Sequence, residues 1–244
     1  MPFNPFFAEN ASHYAESRSH AAGKDLKALL SLICDEHFGT VLDVATGTGH
    51  TAYRMAEISR IVVAMDPTRE MLKLAHDDSS QSNIRFLLGI AEKLPFADAC
   101  FDAITCRRAA HHFTNIDSFL KSSYAVLRCD GLLLIDDMLP PHGETETWNE
   151  LERLRDGTHK FAMDEESWRM ALVSAGFEPR SILMPSERIG FQEWLSPVKV
   201  ESERGRACLS FLKNSSAHFK SEIQLGGDAS FIRRWLVIAA VKRC

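Results

Sequence analysis

The chain of 244 residues is 45% apolar and 25% charged, the balance of a globular protein able to bury a core; its length suits one α/β domain with an embellishment, or two small domains. A formal net charge of −5 and a pI near 6.1 weigh against a general grip on nucleic acid, which needs clustered Lys and Arg to neutralise phosphates. No apolar run approaches the length of a membrane span, and the opening MPFNPFFAENASHYAESRSH lacks the basic-then-apolar order of a secretory signal, so no stable membrane insertion and a cytoplasmic location are expected. Cys34, Cys100, Cys106, Cys129, Cys208 and Cys244 are scattered with no CxxC pair. Neither a zinc framework nor a disulfide scaffold is expected, and reduced thiols are the simpler reading.

From about Asp25 to Lys242 helical and extended patterns alternate, which implies a parallel sheet with helices on both faces. Leu26, Leu29, Leu30 and Ile33 recur at helical spacing before Gly39. Val41 to Val44 is a short apolar strand that runs into the turn ATGTG, followed by a helix through Ala52, Met55 and Ala56. Ile61 to Met65 is the second strand and ends at Asp66-Pro67, with Thr68 placed to cap a helix through Met71, Leu72 and Ala75. Further strands are predicted over 84–88 and 101–106. An amphipathic helix is predicted over 116–127 behind the cap Asn115, and an apolar strand over 132–135 is closed by Asp136-Asp137.

The second half is less regular. A helix is expected around Trp148 to Arg155, and another from Asp164 through Trp168 and Leu172, with Gly176 where a chain leaving a helix turns left-handed. Strands follow over 177–184 and 231–241. The segment between them, 185–228, is too long for a turn and is predicted to fold as a helical cap or insertion.

A strand–turn–helix with glycine in the turn lets backbone pack closely against a nucleotide-like ligand at the carboxyl edge of a sheet. Gly47, Gly49 and Ala52 satisfy the GxGxxG/A spacing, which alone fits NAD as well as an adenosyl cofactor. Asp66, ending the second strand, is the usual type of acceptor for two ribose hydroxyls in either class. Asp43, inside the first strand, separates them better: a carboxylate beside the turn repels a pyrophosphate but suits a cationic amino-acid moiety. Its plainer reading is a strand-end carboxylate that bonds local amides.

The stretches VLDVATGTGH, VVAMDPTREML, FLLGIAEKLPFADACFDAITCRRAAHHF and VLRCDGLLLIDD, in this order, strongly resemble the class I S-adenosylmethionine methyltransferases, and most of all the ubiquinone/menaquinone-biosynthesis C-methyltransferase-like group (methyltransferase type 11). The leader AxxYAxSRxHxxGKDL and the later LRDGTHKF look like the same group; the resemblance is weakest over about 185–230. One departure is Ala45, where many such enzymes carry the first glycine of the turn. The resemblance implies an α/β Rossmann-like fold with a mostly parallel seven-stranded sheet, an antiparallel last strand and a helical cap. It divides a single domain into a cofactor-closing leader (1–24), a cofactor-binding core (25–137), cap segments (138–163 and 185–229) and a final strand (230–244).

The cofactor implied is S-adenosyl-L-methionine, with S-adenosyl-L-homocysteine as product. By the same resemblance Gly47, Gly49 and the backbone near Ala45 border its methionine portion, Asp66 takes the ribose, and Pro67 or Met71 packs on adenine. Ala91 and Glu92 edge the adenine pocket, Arg107 lies toward the methionine or substrate end, and Tyr14, Arg18 and His20 close over the cofactor. A sulfonium methyl is already activated, so in-line approach and exclusion of water supply much of the rate, and a base is needed only if the acceptor loses a proton. His111 and His112, after the fourth strand, are candidate bases, each equally readable as a helix-start or surface histidine; His159 is a further candidate. Arg155 and Asp156 are readable as a lid ion pair, and Asp136 and Asp137 as facing substrate.

No tight ligand spacing suggests a metal. Trp148, Trp168, Trp194 and Trp235, with Phe161 and Phe191, individually read as packing and collectively as lining for an aromatic or apolar small-molecule acceptor. Competing readings are an NAD-dependent oxidoreductase, which lacks a YxxxK-type pair; a non-methylating S-adenosylmethionine binder or cyclase; and an RNA methyltransferase, disfavoured by the acidity. Whether carbon, oxygen or nitrogen is methylated, and the oligomeric state, are not legible.

Overall fold

The computed structural model describes residues 5–244, the side chain of Arg18 excepted. Three short helices, α1 (Pro5–Glu9), α2 (Ala11–Glu16) and α3 (Arg18–Ala22), lead into α4 (Lys24–Ser31). The core then alternates β1 (Phe38–Val44), α5 (His50–Ala56), β2 (Ser59–Asp66), α6 (Arg69–Asp77), β3 (Ile84–Leu88) and β4 (Phe101–Arg107). A 3-10 turn (Ala110–His112) precedes α7 (Ile116–Val126) and the long β5 (Leu127–Leu139). The rest comprises α8 (Thr145–Arg155), α9 (Glu165–Ser174), β6 (Phe177–Leu183), β7 (Ser186–Ile189), α10 (Phe191–Leu195), α11 (Glu203–Asn214), α12 (Ala217–Glu222) and β8 (Phe231–Lys242).

The main sheet runs β3-β2-β1-β4-β5-β8-β6, with β7 paired to β8 beside that path. β1 to β5 pair parallel with one another, whereas β8 runs antiparallel to β5, β6 and β7. The sheet therefore has eight strands rather than the expected seven. The extra one, β7, lies inside 185–229, a stretch expected to be helical, because SERI is short and its sequence shows no period long enough to read. The three helices α10, α11 and α12 fill the remainder as expected.

Alternation along the strands builds two cores. Leu42, Val44, Ile104, Leu133 and Ile135 pack on one face with Phe119, Leu120, Trp168 and Leu172 of α7 and α9. Val41, Val62, Ala103 and Leu134 pack on the other with Leu29 of α4, Ile33 just after it, and Ala52 and Met55 of α5. Helices on both faces bury such strands fully, which is why they read as apolar runs. A third core, around Trp148, Leu151, Trp194, Leu212 and Phe231, holds the cap together over the far end of β8.

Caps follow the sequence at Asn115, whose side chain accepts from Ser118 N–H, and at Asp164, which accepts from Ser167 N–H. Thr68 is a correction: it occupies the N-cap position of α6 but makes no side-chain cap bond, and its own N–H donates to Asp66 Oδ1 at 2.8 Å. β5 extends through Asp136 and Asp137 instead of closing at them, because β8 continues to pair with it as far as Leu139. Cys129 and Cys244 form a disulfide, with Cα atoms 5.7 Å apart and 115 residues between them in sequence. This corrects the expectation of reduced thiols throughout: the antiparallel return of β8 carries the chain end back to the start of β5, a proximity that cysteine spacing does not encode. The other four cysteines are free.

Fully buried Phe119 is expected to cost about 3–5 kcal/mol of stability when truncated in Phe119→Ala. Asn115→Ala, which removes only a cap, should cost about 1 kcal/mol. Urea unfolding curves of the two variants check this ranking.

Candidate active site

A cavity of about 850 Å³ opens where the chain diverges from β1 to β2 on one side and β4 on the other, beyond the carboxyl ends of the parallel strands. That volume is within the range of about 300–1,000 Å³ common for small-molecule sites. Its floor is the turn after β1. Ala45, Gly47 and Gly49 all take left-handed φ, at 54°, 54° and 89°. Ala45 holds this conformation despite its Cβ, so the departure from glycine leaves the turn's shape unchanged. Gly47 needs its freedom for a second reason: a Cβ added there meets no atom within 4 Å and occupies the cavity it borders.

Two carboxylates fix the floor. Asp43, 1% exposed, accepts from Thr46 Oγ1 and from Thr105 Oγ1, each at 2.6 Å. Its partners are hydroxyls rather than the local amides of the plainer reading. Burial pushes its carboxyl up to about 6 against the lowering effect of the two threonines. Asp66 accepts from Gly47 N–H at 2.9 Å and Thr68 N–H at 2.8 Å, and burial raises its carboxyl too. Each oxygen of a carboxylate has two lone pairs, so Asp66 keeps acceptor capacity toward the cavity it lines.

Pro67, Met71 and Ala91 line the same end. Glu92 does not: its Oε1 accepts from the N–H and hydroxyl of Thr114, tying the loop after β3 to the start of α7. Gly49 is also outside the lining, as the N-cap of α5.

Over this floor lies the leader. Tyr14, His13 and His20 line the cavity, and burial pushes the Tyr14 phenol up to about 12. Burial, then Arg108 and Arg107, hold the His20 ring well below its usual range and so neutral. Arg18 was expected here as well, and its side chain lies outside the described residues. The leader is clamped from below by β4: Arg107 donates to the carbonyl of His20, and Arg108 Nη1 donates to Ser19 Oγ at 2.9 Å. Behind them Asp25 accepts both Arg108 Nη2, at 2.6 Å, and Arg108 Nε, at 2.7 Å.

The other end carries the histidines. Neither His111 nor His112 is a surface residue; both are buried in the cavity wall. Asp137 accepts from His111 Nδ1–H and, at 2.7 Å, from His111 N–H. An acceptor on Nδ1 fixes the tautomer and leaves the Nε2 lone pair free of any partner among the described residues. Thr158 donates its hydroxyl to Asp156 at 2.7 Å, so His112 Nδ1–H donates to Thr158 Oγ1 at 3.0 Å. Burial and then His111 lower the His112 ring.

His159 is a correction: it stands behind the other two, outside the lining, with Nε2 bonded to Asn149 Oδ1 at 2.6 Å. Arg155 pairs with Glu152 at 2.7 Å rather than with Asp156. Asp136 and Asp137 do not line the cavity; one faces Arg107 at 3.9 Å and the other serves His111. Of the aromatics, Trp194 and Trp235 line the wall, whereas Trp148, Trp168, Phe161 and Phe191 do not. Thr105, Asp25, Arg108 and Arg233 escaped the sequence reading. A signal for Asp25 does exist in the sequence: it is an acid beside Leu26 at the start of an apolar helix face.

A doubly wound sheet with a left-handed glycine turn, an acid at the end of β2 and a covered cavity at the switch point defines a class I methyltransferase architecture. Residues 42–135 match the methyltransferase domain family. The chain is 29% identical to the uncharacterized methyltransferase YcgJ of Bacillus subtilis over 97% of its own length and 98% of that protein's. A Bacillus halodurans protein solved as a candidate methyltransferase is 31% identical, covering 91% of this chain and all of that one, with a TM-score of 0.86. The ubiquinone/menaquinone biosynthesis C-methyltransferase of Dinoroseobacter shibae is 27% identical over 65% of this chain and 73% of that protein. The chain belongs to the class I S-adenosylmethionine-dependent methyltransferases.

An aspartate at about 6 in the fold and at 3.8 in the unfolded chain holds its proton more tightly when folded. The folded chain then binds more protons between about pH 4 and 6, so Asp43 lowers stability as pH rises through that window, by about 3 kcal/mol in all. Asp43→Asn lacks this slope. Urea unfolding of the ligand-free proteins at pH 4 and pH 7 should show the variant gaining on the wild type by about that amount.

Proposed function

We propose that the cavity binds S-adenosyl-L-methionine at its acidic end and presents the methyl group to a small-molecule acceptor at the histidine end. The observation that carries this reading is Asp43, a buried carboxylate directly under the glycine turn, where a dinucleotide pyrophosphate meets repulsion and a cationic amino-acid moiety gains a partner. The residues present fit the cofactor: an acid with spare acceptor capacity at Asp66, an apolar rim at Pro67, Met71 and Ala91, and open space over Gly47. Arg107 stands between the two ends, with no hydrogen bond at Nε among the described residues, and suits the cofactor's carboxylate. The leader 1–24 acts as the closing segment; His13 Nε2 lies 3.2 Å from Ser196 Oγ of the cap, so leader and cap meet over the site.

The cofactor supplies a sulfonium methyl: the acceptor's electron pair forms the new bond to carbon, and the carbon–sulfur pair stays on sulfur to leave S-adenosyl-L-homocysteine. The protein orients the acceptor and excludes water. His111 Nε2 takes the acceptor's proton, and Asp137 on the opposite nitrogen stabilises the imidazolium. His112 and His159, held neutral by burial, pack beside it: ring centroids lie 4.0 Å and 5.4 Å from that of His111.

Calorimetric titration with S-adenosylmethionine, S-adenosylhomocysteine and NADH tests the assignment. Binding of the two adenosyl ligands alone is expected, and binding of NADH alone overturns it. Asp66→Ala should lose most affinity for both adenosyl ligands. His111→Asn should leave that affinity within about twofold while slowing transfer about 100-fold or more. Unchanged turnover in His111→Asn removes it as the base.

A further inference from the structure

Away from the cofactor end, the cavity wall has a feature that methyl transfer does not use. Arg233 and Trp235 are two residues apart on β8, so their side chains leave the same face of the sheet, and both line the cavity. Trp235 takes the Arg233 guanidinium carbon at 4.3 Å from its ring centroid and that of Arg108 at 4.1 Å. The two guanidiniums also share Ser19 Oγ, at 2.9 Å from Arg108 Nη1 and 3.3 Å from Arg233 Nη2. Like charges are thus gathered on one indole and one hydroxyl.

The counter-charges do not match them. Arg108 spends its carboxylate, Asp25, in two bonds, and Arg233 has Glu187 at 2.6 Å from Nη2 only. Arg233 Nη1 makes no bond to any described residue. Arg233 Nε and Trp235 Nε1 are buried donors with no hydrogen-bond acceptor among the described residues. A buried donor without an acceptor costs about 1–3 kcal/mol. Two such donors on one face of β8, next to a concentrated positive charge, mark a place that an anion with more than one oxygen completes.

We propose that the methyl acceptor carries an anionic group, a carboxylate or phosphate, which is seated against Arg233 and Trp235. The proposal rests on the methyltransferase reading above and adds the chemical class of its acceptor. Arg107 is left to the cofactor's own carboxylate, and the two anion positions are separable by experiment. Trp235 pairs with Met138 across the strands, and Met138 adjoins Asp137, the residue that holds His111. His111 lines the same cavity as Trp235, so an acceptor anchored at Trp235 by its anion shares that space with the imidazole.

The test is titration of the full chain, saturated with S-adenosylhomocysteine, with benzoate, phenyl phosphate and benzyl alcohol. At least one of the two anions should bind while the neutral alcohol does not, and the better anion identifies carboxylate or phosphate as the natural group. Arg233→Met should weaken that anion about tenfold or more, with affinity for S-adenosylhomocysteine unchanged. Trp235→Phe keeps the ring and removes the N–H; it should weaken the anion several-fold, and it decides the matter if Arg233→Met does not fold. The proposal fails if the alcohol binds as well as the anions or if no probe binds. It fails equally if binding depends on Arg107 and not on Arg233, or if the anion competes with S-adenosylhomocysteine. Failure of S-adenosylhomocysteine itself to bind sinks the cofactor reading instead; the same titrations on the free protein then decide the anion site by the same criteria.

Discussion

Asp25 is fully buried, and its two oxygens receive two bonds from Arg108, with Arg107 Nη1 at 3.4 Å. Burial works against this charge, yet Arg108 and Arg107 hold the carboxyl well below the usual carboxylate range. Removing one member of such a cluster leaves uncompensated charge in low dielectric, so the whole set must be kept together. Through it α4 fixes the end of β4, the end of β4 clamps the leader at Ser19 and His20, and Arg108 braces Trp235 on β8. Gly23 shows how tight the arrangement is: a Cβ there meets Asp25 Oδ1 at 2.2 Å and Arg108 Nη2 at 2.8 Å. The roof, the wall and one edge of the sheet are thereby tied to one carboxylate.

This arrangement also divides the cavity electrically. Asp43 and Asp66 lie under the glycine turn, whereas Arg107, Arg108 and Arg233 line the wall toward β8. Low dielectric strengthens both fields. His111 is positioned by a separate device. It sits in a single 3-10 turn whose backbone and ring are both held by Asp137 of β5, so the imidazole is placed by the sheet rather than by its own loop.

Much of this was legible because it is local. The parallel strands were readable as apolar runs, α7 and α9 by their caps and periodic apolar residues, and the turn by glycines at positions that take positive φ. The position of Asp66 at the end of β2 was legible, but its bonds from Gly47 N–H and Thr68 N–H were not. β7 was not, since four residues carry too little pattern, and neither was the Cys129–Cys244 bridge. The resemblance implies Glu92 at the adenine pocket, and His159 of LRDGTHKF is a candidate base; in the fold each braces neighbouring chain, Glu92 at Thr114 and His159 at Asn149.

The sequence by itself determined the fold class, the order of the core elements and the end of the sheet where the cavity opens, because periodicity, caps and turn glycines act over a few residues. Tertiary structure decided which polar groups face the cavity and with what charge. Asp137 behind His111, Thr158 behind His112, Asp25 beneath two arginines and Arg233 against Trp235 are pairs separated by 2 to 83 residues in the chain. Most are brought together only when parallel strands and an antiparallel return align their ends. Burial then keeps His112 neutral and the two arginines keep Asp25 charged, through neighbours the local sequence does not name.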